Sequence, residues 1–207
     1  MPPSVFPIPY GTARVFRSSF TYAFPVLTGP KFLRLYFYPD TYSGFNTSQS
    51  FFSVTANGFT LLSNFSAFLN SPSPSEPSFM KEFVLNVQDK QRLDVTFSPN
   101  PNSFAFVNGI EIVSLPDTLY FRKRCANQFV DQLFYLKDDT VLENLYRLNV
   151  GGGDVAIQDD SGLPAACFGP GPKMMTLYSG GIMVTALILR TSRSTTLSRL
   201  RLTVHRK

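Results

Sequence analysis

The sequence predicts an all-β fold, an antiparallel β-sandwich or jelly roll. Short segments of alternating apolar and polar residues recur between residues 14 and 115, and turn-forming residues separate them at intervals of about 8–12 residues. No amphipathic helix pattern occurs before residue 120. The chain has 207 residues, of which 43% are hydrophobic, so it can bury a substantial core and is not a disordered chain.

The first strands are predicted before residue 39. Residues 14–24 are rich in aromatic and β-forming residues and end at Pro25, and residues 26–30 read as a turn. Residues 31–38 alternate with a period of two, which places alternate side chains on opposite faces of a strand. One face carries Leu33, Leu35 and Phe37, and the other carries Arg34, Tyr36 and Tyr38.

The next pair of strands is predicted around an Asn-Gly turn. Asn57-Gly58 separates strands at 51–56 and 59–65, which is a strong hairpin signal. A polar loop at 40–50 precedes this pair. A Pro/Ser-rich loop at 70–78 follows it, because repeated prolines do not fit the interior of a strand or helix.

The last strands before residue 120 complete a set of at least seven. Alternation predicts strands at 80–87 and 92–97, followed by strands at 103–107 and 110–115. Asn108-Gly109 lies between the last two and indicates a hairpin or a β-bulge.

The composition of the chain changes near Gly162. Residues 1–162 contain 12 Lys and Arg and 14 Asp and Glu, whereas residues 163–207 contain 7 basic residues and no acidic residue. Their formal charges are therefore −2 and +7, and 20 of the 21 phenylalanines lie in the first part. The formal charge of +5 belongs to the tail, so the folded part gives no reason to expect nucleic-acid binding.

The tail, residues 163–207, allows several interpretations. Residues 174–189 are 16 uncharged residues followed by an arginine-rich run, a pattern of membrane anchors, but a spanning helix needs roughly 20 residues. The basic run at 191–207 could be a nucleic-acid-binding arm, although it lacks interleaved aromatic residues. We favour the hypothesis that a reading-frame or splice-boundary change produced this tail, which predicts an irregular segment.

No set of residues predicts a catalytic or metal site. His205 is the single histidine, which argues against a Ser-His-Asp triad or a multi-histidine metal site. The adjacent pairs Asp138-Asp139 and Asp159-Asp160 are interpreted as solvated loop charges, because neighbouring side chains on a strand point apart. The glycines at 151–153 are not followed by the Lys-Ser/Thr of a phosphate loop and are interpreted as a hinge. We expect no cofactor and no metal.

The signals for export are mixed. The proline-rich start has neither the positive segment nor the apolar stretch of a signal peptide. Two N-glycosylation sequons, at Asn46 and Asn64, favour an exported chain. Cys125 and Cys167 are too few for a disulfide scaffold, and the sequence leaves open whether they pair.

Several sequence runs occur together in an order typical of one family. They are TARVF at 12–16, FLRLYFYP at 32–39, FFSVTA at 51–56, FTLLSNFS at 59–66, KEF at 81–83, FAFVNGIEIVS at 104–114 and ENLYRLNVGG at 143–152. Together they resemble the malectin-like ectodomain of plant receptor-like kinases of the Catharanthus roseus (FERONIA) type. The resemblance extends over residues 10–162.

The resemblance implies a domain organisation. Members of this family carry two tandem malectin-like modules, a transmembrane helix and a cytoplasmic Ser/Thr kinase. Residues 1–119 are then expected to be a first module that lacks its first strands, and residues 120–150 a connector that ends in a short helix or strand at 140–150. Residues 151–162 are expected to begin a second module, and residues 163–207 are the atypical basic tail.

The resemblance also implies a function. The family lies on the extracellular face of the plasma membrane and senses cell-wall carbohydrate and secreted signalling peptides. The Gly-rich loop, catalytic loop and Asp-Phe-Gly motif of kinases do not occur in this sequence, so we expect no enzyme activity in this chain. The expected function is that of a non-catalytic recognition fragment of such a receptor. The alternative is a kinase-less secreted lectin-like or decoy protein.

Four aromatic residues near the first polar loop are candidates for glycan binding. They are Tyr36, Tyr38, Tyr42 and Phe45. Exposed aromatic rings in lectin-like modules provide flat apolar faces on which sugar rings stack. Packing into the core is the other interpretation of these residues, and the sequence leaves both open.

Overall fold

The computed structural model describes residues 7–74, 77–88, 91–115, 140–150, 182–191 and 194–199. In these residues the chain forms one short helical turn, α1, and one 3-10 turn, and otherwise antiparallel strands and their connections. The elements are α1 Pro7–Tyr10, β1 Arg14–Phe16, β2 Phe20–Pro25, β3 Gly29–Phe37, β4 Thr41–Tyr42, β5 Phe45–Asn46, the 3-10 turn Thr47–Gln49, β6 Phe52–Ala56, β7 Phe59–Phe65, β8 Phe79–Val87, β9 Arg92–Pro99, β10 Ala105–Val107, β11 Gly109–Ser114, β12 Thr140–Val150, β13 Ile182–Thr191 and β14 Ser194–Arg199.

Two larger sheets form a β-sandwich. One has the order β11-β3-β8-β12-β13-β14 and the other the order β2-β9-β6-β7, while β1 pairs with β10 and β4 with β5. The core between the two sheets contains the apolar faces of both, including Leu33, Leu35 and Phe37 of β3 and Val54 and Phe97 of the opposite sheet. The predicted antiparallel β-sandwich is confirmed, because period-two alternation turns one apolar face of each strand towards this core.

The turn at Asn57-Gly58 is the predicted hairpin. It joins β6 to β7, which pair antiparallel. Asn57 and Gly58 have φ angles of +46° and +85°. Asn and Gly are the residues that tolerate this left-handed region, which tight hairpin turns require.

The second Asn-Gly dipeptide is not a hairpin, so the hairpin alternative of that prediction is wrong. β10 pairs with β1, whereas β11 pairs with β3. The chain therefore changes sheets at Asn108. Gly109 is required by close packing, because a Cβ atom at this position would lie 2.7 Å from the Cβ of Pro9.

Strand β3 is buried on both faces. Its apolar face carries the three residues predicted for it and lies in the core. The side that carries Phe32, Arg34 and Tyr36, called here the second face of β3, is also shielded, and all three side chains are buried. Residues predicted only to lie opposite the core thus form a second interior layer.

The later part of the chain extends the larger sheet. Residues 140–150, for which the sequence left helix and strand open, form β12, which pairs with β8 and β13. In the tail, β13 and β14 pair antiparallel with a register shift between Leu189 and Thr191, and the loss of alternation after Gly162 did not lead us to expect this pairing. Residues 182–191 are rich in β-branched and aliphatic residues and contain one charged residue, Arg190, and this composition fits a strand.

Some predictions fall on other parts of the chain. Cys125, Cys167 and both Asp pairs lie outside the described residues, as do the glycines at 151–153. The division into modules, connector and tail stays a prediction. Within the described ranges, no helix has the length and apolarity needed to cross a membrane.

Candidate functional site

Two of the four aromatic candidates are interior residues. Tyr36 and Tyr38 are each 6% exposed and form a small cluster with Tyr10. The rings of Tyr10 and Tyr36 meet edge to face with their centroids 5.8 Å apart. A ring in such a position offers no open face to a sugar, so their placement matches the core-packing interpretation that the sequence left open.

Tyr36 belongs to an ion-pair network on the second face of β3. Its hydroxyl donates to Oε2 of Glu111 at 2.8 Å, and Arg34 Nη1 donates to the same oxygen at 2.9 Å. Arg34 Nε donates to Oε2 of Glu82 at 2.8 Å, with both side chains at most 3% exposed. Asn144 Nδ2 donates to the other Glu82 oxygen at 2.8 Å. These charge-assisted bonds compensate the cost of removing the charges from water.

The network shifts two pKa values. Burial raises the pKa of the Tyr36 hydroxyl well above its ordinary value, and the Glu111 carboxylate raises it further because it favours the neutral phenol. Burial by itself lowers the pKa of Arg34, but the hydrogen bonds and charges of Glu111 and Glu82 outweigh it and raise the pKa. Both groups therefore keep one protonation state across the physiological range, with Arg34 charged and Tyr36 neutral.

Tyr42 lies between the interior cluster and the surface. Its hydroxyl donates to the Tyr38 carbonyl oxygen at 2.7 Å and accepts from Asn108 Nδ2 at 2.8 Å. Burial raises the pKa of Tyr42 to about 12. The half-buried ring packs against Phe106 with a centroid separation of 6.0 Å.

Asn108, which the sequence marked only as a turn residue, connects several segments. Its Oδ1 accepts from the Tyr38 backbone N–H at 2.8 Å. The two N–H groups of its Nδ2 are shared among three acceptors, which are the Tyr42 hydroxyl and the carbonyl oxygens of Thr12 and Tyr10 at 2.9 and 3.2 Å. One side chain thus joins the N-terminal segment to β3 and to the β4 tyrosine. In the sequence, only the Asn108-Gly109 dipeptide indicated that this position was unusual, and it indicated a turn.

Phe45 lies apart from this cluster, at the edge of a surface depression. It is opposite Tyr42 in the β4–β5 pair. The depression, called here the Phe45 depression, has a volume of about 520 Å³, within the range of roughly 300–1,000 Å³ of small-molecule sites. Its lining residues are Arg17, Gly44, Phe45, Asn46, Gln49, Asn102, Ser103 and Phe104.

The Phe45 depression combines aromatic and polar surface. The Phe45 and Phe104 rings meet edge to face at 5.2 Å, and the Arg17 guanidinium carbon lies 4.7 Å from the Phe45 centroid. Arg17, Gln49 and Asn102 are exposed at its rim. Such a mixture can contact the C–H face of a sugar while amides and a guanidinium bind its hydroxyls. Among the described residues, no three His, Cys, Asp or Glu side chains are grouped to hold a metal ion.

Both predicted glycosylation residues are exposed. Asn46 ends β5 and caps the 3-10 turn, where its Oδ1 accepts from the Ser48 backbone N–H at 3.0 Å. Asn64 lies on β7, and its Oδ1 accepts from Asn100 Nδ2 at 2.6 Å. Glycosylation of either residue stays a prediction.

Comparison with known families and sequences gives consistent matches. The family model described as "Malectin-like domain" matches residues 1–162. A probable receptor-like protein kinase of Arabidopsis thaliana, At5g39020, is 51% identical over 163 residues, which are 75% of this chain and 20% of that protein. The Arabidopsis thaliana receptor-like protein kinase FERONIA is 47% identical over 171 residues, which are 78% of this chain and 18% of FERONIA. The chain thus spans about a fifth of the length of these relatives.

Solved structures also match the fold. A chain in the crystal structure of plant peptide RALF23 in complex with FER and LLG2 is 44% identical, with a TM-score of 0.66. The match covers 79% of this chain and 43% of that chain. The fold and the sequence therefore point to the same group of proteins.

Proposed function

Because this chain belongs to the malectin-like domain family, we propose that it is a non-catalytic recognition module of a plant cell-surface receptor-like Ser/Thr kinase. Its relatives are receptor-like protein kinases of which it spans about a fifth. The proposed place of action is the extracellular face of the plasma membrane.

The ligand we propose first is a secreted signalling peptide. The observation that carries this proposal is the likeness to a chain in the complex of plant peptide RALF23 with FER and LLG2. The test is a calorimetric titration of RALF23 into the full chain with LLG2 present. We expect saturable binding. Absence of binding, while a FER ectodomain binds in a parallel titration, contradicts the proposal.

The second candidate ligand is cell-wall carbohydrate, bound at the Phe45 depression. Its aromatic floor and polar rim favour this ligand class. Of the four predicted glycan-binding residues, Phe45 and the half-buried Tyr42 are the ones we retain for this role.

The carbohydrate proposal can be tested by titrating unglycosylated chain with neutral and acidic cell-wall oligosaccharides. Phe45→Leu and Arg17→Ser should each weaken binding by about tenfold, the equivalent of one lost contact of about 1.4 kcal/mol. The matched control is Phe68→Leu, since Phe68 is 51% exposed but does not line the depression. Equal loss in the control, or no saturable binding at all, argues against a site at this position.

Two further points remain part of the proposal. The division into a partial module at 1–119, a connector at 120–150 and the start of a second module at 151–162 can be tested by limited proteolysis, which should cut first within 116–139. The competing secreted lectin-like or decoy function is distinguished by the full-length transcript. A downstream kinase region supports the receptor proposal, whereas a signal peptide with a stop after residue 207 supports the decoy.

A further inference from the structure

We infer that an N-linked glycan on Asn46 packs into the Phe45 depression, so that this surface is covered by sugar that the chain itself carries. The inference goes beyond the proposed function, which concerns ligands from outside. Three observations support it: the position of the sequon, the atom left available on Asn46, and the chemistry of the neighbouring surface.

The sequon lies at the depression itself. Asn46 is one of the lining residues, and it directly follows Phe45. The second sequon residue, Asn64, is equally exposed but does not line the depression. A glycan at Asn46 therefore starts at the rim of an aromatic and polar surface, whereas a glycan at Asn64 does not.

The geometry leaves the reacting atom accessible. The hydrogen bond that caps the 3-10 turn uses Oδ1 of Asn46, not Nδ2. In glycosylation, Nδ2 forms a bond to C1 of the first sugar of a lipid-diphosphate-linked oligosaccharide. The bond from C1 to the diphosphate breaks, the lipid diphosphate leaves with the electron pair, and the amide gives up one proton. The capping bond survives this step, because Oδ1 is unchanged.

The surface next to Asn46 fits the first sugars of such a glycan. Phe45 is half-buried, with Arg17 over its ring and Phe104 meeting it edge to face, and the exposed remainder of the ring can contact a sugar C–H face. Arg17 offers guanidinium donors, and the Gln49 and Asn102 amides offer both donors and acceptors. Because the glycan is tethered beside these groups, docking loses less translational freedom than binding of a free sugar. The attached glycan should therefore displace a free oligosaccharide from this surface, so carbohydrate binding at the Phe45 depression applies to the chain without a glycan on Asn46.

The first test is a thermal double-mutant cycle on the full chain, secreted from plant cells behind an added signal peptide. Ser48→Ala removes the sequon but keeps the Asn46 cap, and Phe45→Leu removes the ring while keeping an apolar side chain. Ser48→Ala should lower Tm by about 2–4 °C. The same substitution in the Phe45→Leu background should have little effect. The control is Ser66→Ala, which removes the Asn64 sequon and should give the same small change in both backgrounds.

A second measurement does not depend on stability. A peptide N-glycosidase acting on the native chain should release the Asn46 glycan about tenfold more slowly than the Asn64 glycan. Phe45→Leu should make the two rates equal. The inference is overturned if intact mass shows Asn46 unmodified, or if the Phe45 substitution changes neither the cycle nor the release rate. The titration of unglycosylated chain with free oligosaccharides tests the proposed function separately. Its outcome does not depend on the double-mutant cycle or on the glycan-release rates.

Discussion

The two large sheets of the sandwich differ in the face that each turns away from the shared core. On β9 of the four-stranded sheet, buried residues alternate with partly exposed ones, and the ion pair Arg92–Asp94 lies on the exposed side. On β3 of the six-stranded sheet, every residue from Pro30 to Phe37 is buried, and the ion pair Arg34–Glu82 lies in the interior. The same type of ion pair is therefore a surface feature in one sheet and an interior one in the other.

This difference determines how much each pair matters for stability. When one partner of a buried ion pair is removed, the remaining charge is buried without compensation. When one partner of an exposed pair is removed, water solvates the remaining charge. Four substitutions test this comparison, in decreasing order of expected effect.

The largest effect is expected for Arg34→Ala. It leaves Glu82 buried without its main cation and removes a partner of Glu111, so the free energy of unfolding should fall by roughly 3–5 kcal/mol. Urea unfolding measures the change. Replacing both partners with Arg34→Met and Glu82→Leu should cost less than the single substitution, because no buried charge remains between them. If Arg34→Ala lowers the free energy of unfolding no more than the double substitution does, the ion pair between Arg34 and Glu82 is not in the interior.

A smaller effect is expected for Asn108→Ala. The substitution removes the hydrogen bonds to Tyr38, Tyr42, Thr12 and Tyr10, of which all but the one to Thr12 are partly shielded from water. The loss in unfolding free energy should be about 2–3 kcal/mol by urea denaturation. Asn70→Ala is the control, since Asn70 is exposed and its side chain bonds only to the Ser66 carbonyl oxygen among the partners seen. Equal losses of unfolding free energy in Asn108→Ala and Asn70→Ala would mean that the hydrogen bonds of Asn108 between segments add no stability beyond that of a surface bond.

Tyr42→Phe should have a modest effect at neutral pH and a distinct one at high pH. Loss of the hydroxyl should cost about 1 kcal/mol at pH 7. In the folded chain the pKa of Tyr42 is raised from 10.0 to about 12, so the unfolded chain releases its proton first as the pH rises. Stability contributed by the neutral hydroxyl is therefore complete below pH 10 and lost between pH 10 and about 12.

Urea unfolding at a series of pH values checks this dependence. The wild-type curve should fall over that interval, and the fall should be shallower in Tyr42→Phe. The pKa of Tyr36 is also raised, so this residue should cause part of the loss in unfolding free energy at high pH in both proteins. Parallel curves for the two proteins would show that the Tyr42 hydroxyl is not shielded.

The smallest effect is expected for Arg92→Ala. Its side chain is 58% exposed and its partner Asp94 is partly exposed, so water can solvate both charges when the pair is broken. Urea unfolding should give no change beyond the error of the measurement. A loss comparable to that of Arg34→Ala would remove the distinction between the two sheets.

The core-facing sides of the strands and the first hairpin could be predicted from the sequence. Alternation identified the core face of β3, and the Asn57-Gly58 turn identified the β6–β7 hairpin. Alternation distinguishes apolar from polar positions but does not show whether a polar position reaches water. Arg34 is buried because Glu82 and Glu111, 48 and 77 residues away in sequence, complete its hydrogen bonds. Partners at such distances leave no local pattern.

The candidate site was predictable only in part, for the same reason. Phe45 was found as an aromatic residue in a polar loop, whereas the candidates Tyr36 on β3 and Tyr38 just after it proved to be interior. Arg17 and Asn102 reach the Phe45 depression from distant segments, so neither is adjacent to the loop in sequence. Asn108 resembled a hairpin residue because the same dipeptide serves a tight turn at Asn57 and a change of sheets here.

The bond from Asn108 to the Tyr10 carbonyl oxygen also has a consequence for synthesis on the ribosome. The two residues are 98 positions apart, so at roughly 5–20 residues per second the first waits on the order of 5–20 s for the second. During that interval the strands β1 and β3 exist without their partners β10 and β11. Productive folding of this chain should therefore depend on chaperones that hold nascent β-strands apart, more than that of a protein built from local contacts.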